Sequence, residues 1–101
     1  MTQDVHTVKV SKDLEDLIPT FLANRKKELD TLRQALTAAD FEQIRQIGHR
    51  MRGVGNSYGF DNVTSLGKLI EDGAKASDRA GLETHIAAYG EYLSNVRITY
   101  E

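Results

Sequence analysis

The sequence contains no cysteine and no long run of apolar residues. The lack of cysteine excludes disulfides and thiolate chemistry and suits the cytosol. The first ten residues have neither the charged nor the apolar region of a signal peptide. No apolar run approaches the roughly 20 residues that a membrane helix needs. We therefore expect a cytoplasmic protein without a membrane segment.

The chain also lacks a strong charge of either sign. Its formal net charge is −2, and basic and acidic residues are intermixed, so nothing in the composition favours nucleic acid as a partner. A length of 101 residues predicts one domain, without room for an attached ATP-binding domain. The glycines at 53, 55 and 59 do not have the spacing of a dinucleotide loop. The histidines suggest no metal site, and the acidic residues look dispersed over helix surfaces.

Apolar residues recur at helical spacing along most of the chain. The pattern predicts five helices, over residues 11–17, 18–38, 41–58, 62–76 and 78–96. Residues that favour the N-cap precede four of them: Ser11, Asp40, Asp61 or Asn62, and Ser77 or Asp78. The buried side of the helix over 62–76 is predicted to hold Val63, Leu66, Leu69, Ile70 and Ala74. Short turns between long amphipathic helices predict an all-α fold, an antiparallel up-down-up-down four-helix bundle with a short extra N-terminal helix.

The two ends of the chain alternate apolar and polar residues, at Val8 and Val10 and in the C-terminal VRITYE. Two interpretations fit this pattern. The ends could pair as a small β-bridge, or they could be two frayed tails, which is the common behaviour of termini. We favour frayed tails.

The most informative stretch is FEQIRQIGHRMRGVGNSYG, which begins at Phe41 and ends at Gly59. On a helix its apolar members fall within about a third of the circumference and form one stripe, made of Ile44, Ile47, Met51, Val54 and Tyr58. His49 lies on the opposite side, where no large apolar side chain occurs. The helix phase therefore predicts that the His49 side chain points into water.

The neighbours of His49 on the helix surface are unusual. Arg45 lies at i−4, Arg52 at i+3 and Gly53 at i+4. A glycine inside a helix costs about 0.5–1 kcal/mol relative to alanine. Gly48 and Gly55 face the packed side, where a missing Cβ lets another helix come close. Gly53 lies beside the exposed imidazole instead, and there it gives clearance to an approaching partner.

The run from His49 to Gly55, with Gly59 and then Leu66, Leu69, Ile70 and Glu71, resembles the signature of the histidine-containing phosphotransfer (HPt) family. In that family an apolar residue follows the histidine at +2, a basic one at +3, a small one at +4 and usually a glycine at +10. The resemblance spans roughly Leu14 to Leu93. Arg52 departs from it in one respect, because lysine is more common there, and arginine has a different donor geometry.

The resemblance implies a phosphoryl carrier without kinase activity of its own. His49 would be the phosphoacceptor, Arg52 would contact the phosphoryl group and Gly53 would give steric clearance. The surface that binds the partner would include Arg45, Gln46 and Asn56. Gln46 could hydrogen-bond an imidazole nitrogen or simply face water. The partners would be receiver domains, which exchange a phosphoryl group between aspartate and histidine and supply the Mg²⁺, and this chain would be a monomer without a cofactor of its own.

Two other functions compete with this interpretation. A helical adaptor could bind a protein through the same face without accepting phosphate. A phosphoacceptor and dimerisation segment of a sensor kinase is less favoured, because such segments generally place an acidic residue directly after the histidine and Arg50 stands here. The Met1 start favours a free-standing protein over a domain excised from a larger kinase.

Overall fold

The computed structural model describes residues 6–101 and contains four α-helices in a bundle. The helices are α1 Ile18–Thr37, α2 Phe41–Val54, α3 Asp61–Lys75 and α4 Arg79–Asn95. Strand β1, His6–Val10, and a 3₁₀ helix, Lys12–Leu17, precede them, and strand β2, Val96–Tyr100, follows them. α1 and α3 each pack against both α2 and α4. The predicted all-α four-helix bundle is confirmed, and no helix within residues 6–101 could cross a membrane.

The central helix is shorter than predicted. α2 ends at Val54 instead of residue 58, because the backbone N–H of Asn56 donates to Thr64 Oγ1 at 3.0 Å and does not continue the helical ladder. The chain tightens into a 3₁₀ turn over Asn56–Tyr58. Gly59 then ends the turn with a φ of 85°, a conformation that glycine adopts without the steric cost of a side chain.

Side-chain caps set the starts of two long helices as predicted. Asp40 accepts a hydrogen bond from the Gln43 N–H at 3.2 Å, and Asp78 accepts one from the Gly81 N–H at 3.0 Å. The predicted cap of α3 is wrong. Its N-cap residue is Phe60, which makes no side-chain cap bond and is fully buried, and Asp61 is the first residue of the helix. Burial of the Phe60 ring fixes this start where a polar cap does not.

The chain ends pair as a parallel two-stranded sheet. The register places His6 beside Val96 and Val10 beside Tyr100. Apolar side chains of both strands pack against the core, and Val10 is only 2% exposed. The favoured interpretation of two frayed tails is therefore wrong for residues 6–10 and 96–101, since apolar burial stabilises the ends. Met1 to Val5 lie outside the described residues.

Helix α3 buries Val63, Ile70 and Ala74 as predicted, but the edges of its buried face differ from the prediction. Leu69 was expected in the core but is 45% exposed, whereas Glu71 is only 3% exposed. The buried face is centred near Val63, Ile70 and Ala74. At 100° per residue Glu71 lies about 80° from that centre and Leu69 about 120° from it.

Candidate functional site

Helices α2 and α3 pack closely because glycines line their contact. A Cβ built on Gly48 would lie 2.6 Å from the backbone nitrogen of Glu71, and one built on Gly67 would lie 2.6 Å from the backbone nitrogen of Arg52. Both contacts are with backbone, so no side chain fits at either position. The prediction that Gly48 lets another helix come close is confirmed. This packing brings Glu71 next to His49.

Glu71 is a buried carboxylate that binds exposed groups. Its Oε2 lies 3.0 Å from His49 Nδ1, and its Oε1 lies 3.2 Å from Arg52 Nη1. Lys75 Nζ is 3.8 Å from Oε2. The Glu71 side chain is 4% exposed, whereas that of His49 is 69% exposed. The imidazole is thus exposed to solvent, as its helix phase predicts, and its Nδ1 is bound by the buried Glu71 carboxylate.

The state of Glu71 determines the tautomer of the imidazole. Burial would raise the pKa of Glu71, but the hydrogen bonds from Arg52 and His49 and the charge of Lys75 outweigh burial and lower the pKa. An ionised carboxylate can only accept hydrogen bonds, so Nδ1 of His49 must carry the hydrogen. In the neutral ring the lone pair is then on Nε2. The arrangement presents an exposed nitrogen nucleophile.

The space beside His49 is open at Gly53. A Cβ built on Gly53 meets no atom within 4 Å, in contrast to Gly48. Gly53 also lines a groove of about 550 Å³ between α1 and α2, together with Arg50 and Tyr58. Packing therefore does not require a glycine at residue 53.

The other predicted site residues lie near His49 on the sequence but do not contact its ring. Arg45 Nε donates to Glu42 at 2.9 Å, and Gln46 Nε2 donates to the same carboxylate at 3.3 Å. These two hydrogen bonds lower the pKa of Glu42 to about 2. The possibility that Gln46 bonds the imidazole is therefore wrong, because the Gln46 amide donates to Glu42 instead. Asn56 is exposed in the turn after α2.

On the sequence pattern alone the acidic residues are dispersed over helix surfaces, which predicts no role for Glu71 in the site. The sequence nevertheless contained a signal that the Glu71 side chain is buried. On α3 Glu71 follows Ile70 directly, lies four residues after Gly67 and three before Ala74, all of which are buried. A carboxylate on the apolar side of an amphipathic helix needs a partner, because an unpaired buried charge is costly.

A second nearly buried carboxylate lies on the other flank of α2. The Glu28 side chain is 9% exposed, and its Oε1 accepts a hydrogen bond from the Tyr89 hydroxyl at 3.0 Å. Arg25 Nε is 3.2 Å from the same oxygen, and the guanidinium lies 4.8 Å from the centre of the Phe21 ring. Burial raises the pKa of Glu28 more than these partners lower it. This cluster explains why a charged residue, Arg25, lies largely buried on α1, whose other buried residues include Phe21 and Leu29.

Within the part of the chain that the structure describes, no three His, Cys, Asp or Glu side chains form a group that could hold a metal ion. The site is thus made of an imidazole, its carboxylate partner, two nearby cations and an open space. Such a site can carry a group on an imidazole nitrogen.

Comparison with known families agrees with this site. A family model described as Hpt domain matches residues 16–98, nearly the whole chain, and the matched range includes every site residue named above. No curated protein and no solved structure matches the chain. Hpt domains are phosphotransfer carriers and not kinases, they take part in His-Asp phosphorelays, and they interact with receiver domains. Because the match covers most of the chain and includes the site, the chain belongs to the Hpt domain family.

Proposed function

We propose that this chain carries phosphoryl groups in a multistep phosphorelay and that His49 accepts and donates them. The donor is an aspartyl phosphate of a receiver domain, and the acceptor is the unphosphorylated aspartate of a receiver domain. One observation carries the proposal. The imidazole is exposed, and its Nδ1 is bound by a buried carboxylate, so Nε2 is the nitrogen that an incoming group can reach.

The transfer step needs a nucleophile and a leaving group in line. Nε2 of His49 attacks the phosphorus atom, a P–N bond forms, and the P–O bond to the aspartate breaks. The receiver carboxylate leaves with the electron pair. The hydrogen stays on Nδ1, where the negative charge of Glu71 offsets the positive charge that the ring gains. The reverse sequence returns the group to a receiver.

The residues around His49 would act mainly by positioning, as is usual for phosphoryl transfer. Arg52 has five N–H donors, so its guanidinium can hold Glu71 and a phosphoryl oxygen at once. Gly53 leaves room for the receiver to approach the ring. Arg45, Gln46 and Asn56 are proposed to contact the receiver. We expect the receiver to supply Mg²⁺.

The direct test is transfer from a phosphorylated receiver domain. We expect the chain to gain a label that is stable in base and labile in acid, and His49→Gln to abolish it. His85→Gln, which changes a half-buried histidine on α4, is the matched control and should be labelled like the wild type. A wild-type chain that binds receivers but is never labelled would favour the adaptor function instead.

The clearance at residue 53 can be tested separately. We expect Gly53→Gln to keep the helical circular dichroism of the wild type but to block transfer, because the side chain would fill the space beside the imidazole. Ala87→Gln adds a side chain of the same kind on the exposed side of α4, diagonal to α2, and should transfer normally. Unchanged transfer in Gly53→Gln would remove the steric argument.

The role of Glu71 is also open to measurement. Glu71→Gln removes the charge that fixes the Nδ1–H tautomer, and a hydrogen bond to a charged group contributes about 1.5–3 kcal/mol. We expect the transfer rate to fall roughly tenfold or more. Nuclear magnetic resonance of the His49 ring nitrogens would show a mixture of tautomers in the variant. A single Nδ1–H tautomer in both proteins would contradict this role.

A further inference from the structure

Within the part of the chain that the structure describes, residues 6–101, the terminal sheet has one open edge, which belongs to β2. Glu101 N donates to the Val10 carbonyl at 3.0 Å, and the Glu101 carbonyl accepts from Lys12 N at 2.9 Å, so the backbone of Glu101 points towards β1. Backbone direction alternates along a strand of a parallel pair. In the register of this sheet the N–H and C=O groups of Ile98 and Tyr100 therefore point away from β1.

Nothing in residues 6–101 satisfies these outward groups. Among the described residues, no backbone hydrogen bond other than those of the sheet itself reaches Ile98 or Tyr100, and β1 is the only element with which β2 makes extensive contact. The outer edge of β1 differs, because it faces the connection between α2 and α3. The Lys9 carbonyl lies 3.4 Å from the position that a Cβ on Gly59 would take.

The edge of β2 also lacks the features that usually prevent strand association. Exposed edges are commonly interrupted by proline, a bulge or several charges, or covered by another element. The β2 sequence is VRITY, which is rich in β-branched and aromatic residues and contains neither proline nor glycine. Arg97 is its only charged residue, and the exposure pattern places that side chain on the solvent face of the sheet, not along its edge.

We propose that two copies of this chain associate through β2, in antiparallel orientation about a two-fold axis at Ile98. The outward groups of Ile98 then pair with those of Ile98 in the second copy, and those of Val96 pair with Tyr100. The two copies present the same edge, as an isologous interface requires. Arg97 lies across from Thr99 of the second copy, so no like charges are directly opposite. The product is a four-stranded sheet in place of the expected monomer.

The proposed contact is short, so the dimer is weak and depends on concentration. Sedimentation equilibrium should show the mean mass rising from 11.3 kDa towards twice that value as the chain approaches millimolar concentration. Amide hydrogen exchange gives a residue-specific signature. The inward amides of Arg97 and Thr99 should be protected at every concentration, and the outward amides of Ile98 and Tyr100 only where the dimer forms.

Proline substitution tests the backbone groups directly. Ile98→Pro removes an outward N–H and leaves the bonds between β1 and β2 in place, so the protein should remain folded and lose the association. Thr7→Pro is the matched control, because alternation points the Thr7 N–H to the outer edge of β1. That variant should associate like the wild type.

Charge substitutions at Thr99 provide a test that leaves the backbone unchanged. Thr99→Glu places a carboxylate across from Arg97 of the second copy and should tighten the dimer roughly two- to tenfold. Thr99→Arg should weaken it by a similar factor. A wild-type mass that stays at 11.3 kDa, or association without protection of the Ile98 and Tyr100 amides, would overturn the proposal. Protection of these amides only after a receiver is added would assign the edge to that partner instead.

Discussion

The two flanks of α2 are built differently although each contains a carboxylate with little exposure. On the α3 flank two glycines bring the backbones together, and Glu71 binds groups that extend into solvent. On the α1 flank a groove of about 550 Å³ remains, and Glu28 binds Arg25 and Tyr89, which are themselves largely or fully buried.

This difference decides the charge state that each flank favours. Burial by itself would raise the pKa of both the Glu71 and the Glu28 carboxyl groups. The partners of Glu71 outweigh burial and lower its pKa, whereas the partners of Glu28 do not. A carboxylate kept ionised can orient an exposed imidazole, so the α3 flank serves the site. The α1 flank contributes mainly to the stability of the bundle.

Disrupting the cluster of Glu28 with Arg25 and Tyr89 should destabilise the protein most. Glu28→Ala leaves the Arg25 charge and the Tyr89 hydroxyl buried without their partner, which should lower the free energy of unfolding by about 3–5 kcal/mol. Asp30→Ala, at a carboxylate that is 72% exposed on the same helix, should change it by less than about 1 kcal/mol. Urea unfolding measures both values. Equal effects of the two variants would contradict the stabilising role of Glu28.

The next comparison is between glycines on the two sides of the imidazole. Gly48→Ala places a methyl group against the backbone of α3 and should lower the free energy of unfolding by about 1–3 kcal/mol. Gly53→Ala meets open space and should raise it by about 0.5–1 kcal/mol through better helix propensity. Thermal and urea unfolding would measure both effects. A destabilised Gly53→Ala would show that the space at residue 53 is not free.

The smallest expected effects are two opposite pH trends. The lowered pKa of Glu71 contributes stability that is present above its unfolded value near 4.5 and is lost as the pH falls through the folded pKa. The raised pKa of Glu28 contributes stability that is present below 4.5 and is lost as the pH rises through the folded pKa. Relative to the wild type, Glu71→Gln should therefore gain stability on acidification and Glu28→Gln should lose it. Urea unfolding at several pH values measures the trends, and trends of the same sign would contradict the comparison.

Much of the fold followed from local patterns. The periodicity of the α2 residues predicted which of them are buried and that His49 is exposed, and Asp40 and Asp78 predicted two helix starts. These features depend on residues within one or two helical turns, so the sequence contains them directly. The end of α2 could not be predicted in this way, because it depends on Thr64, which lies on another helix.

The candidate site was predictable only in part. His49, Arg52 and Gly53 could be recognised from spacing within one helix, and their roles stay proposals. The bond between His49 and Glu71 joins residues 22 positions apart, so it depends on how α3 is rotated about its axis against α2. The sequence pattern placed Leu69 in the core and left Glu71 outside it, which is the reverse of the structure.

Most of the helix positions, the outward direction of His49 and the close approach at Gly48 could be predicted locally, because each follows from the 3.6-residue repeat and from backbone preferences of single residues. The partner of the imidazole and the pairing of the chain ends became known only from the folded chain. Both need the packing of segments that are distant in the sequence. Local periodicity cannot specify such packing, because it fixes which face is apolar but not which neighbour covers it.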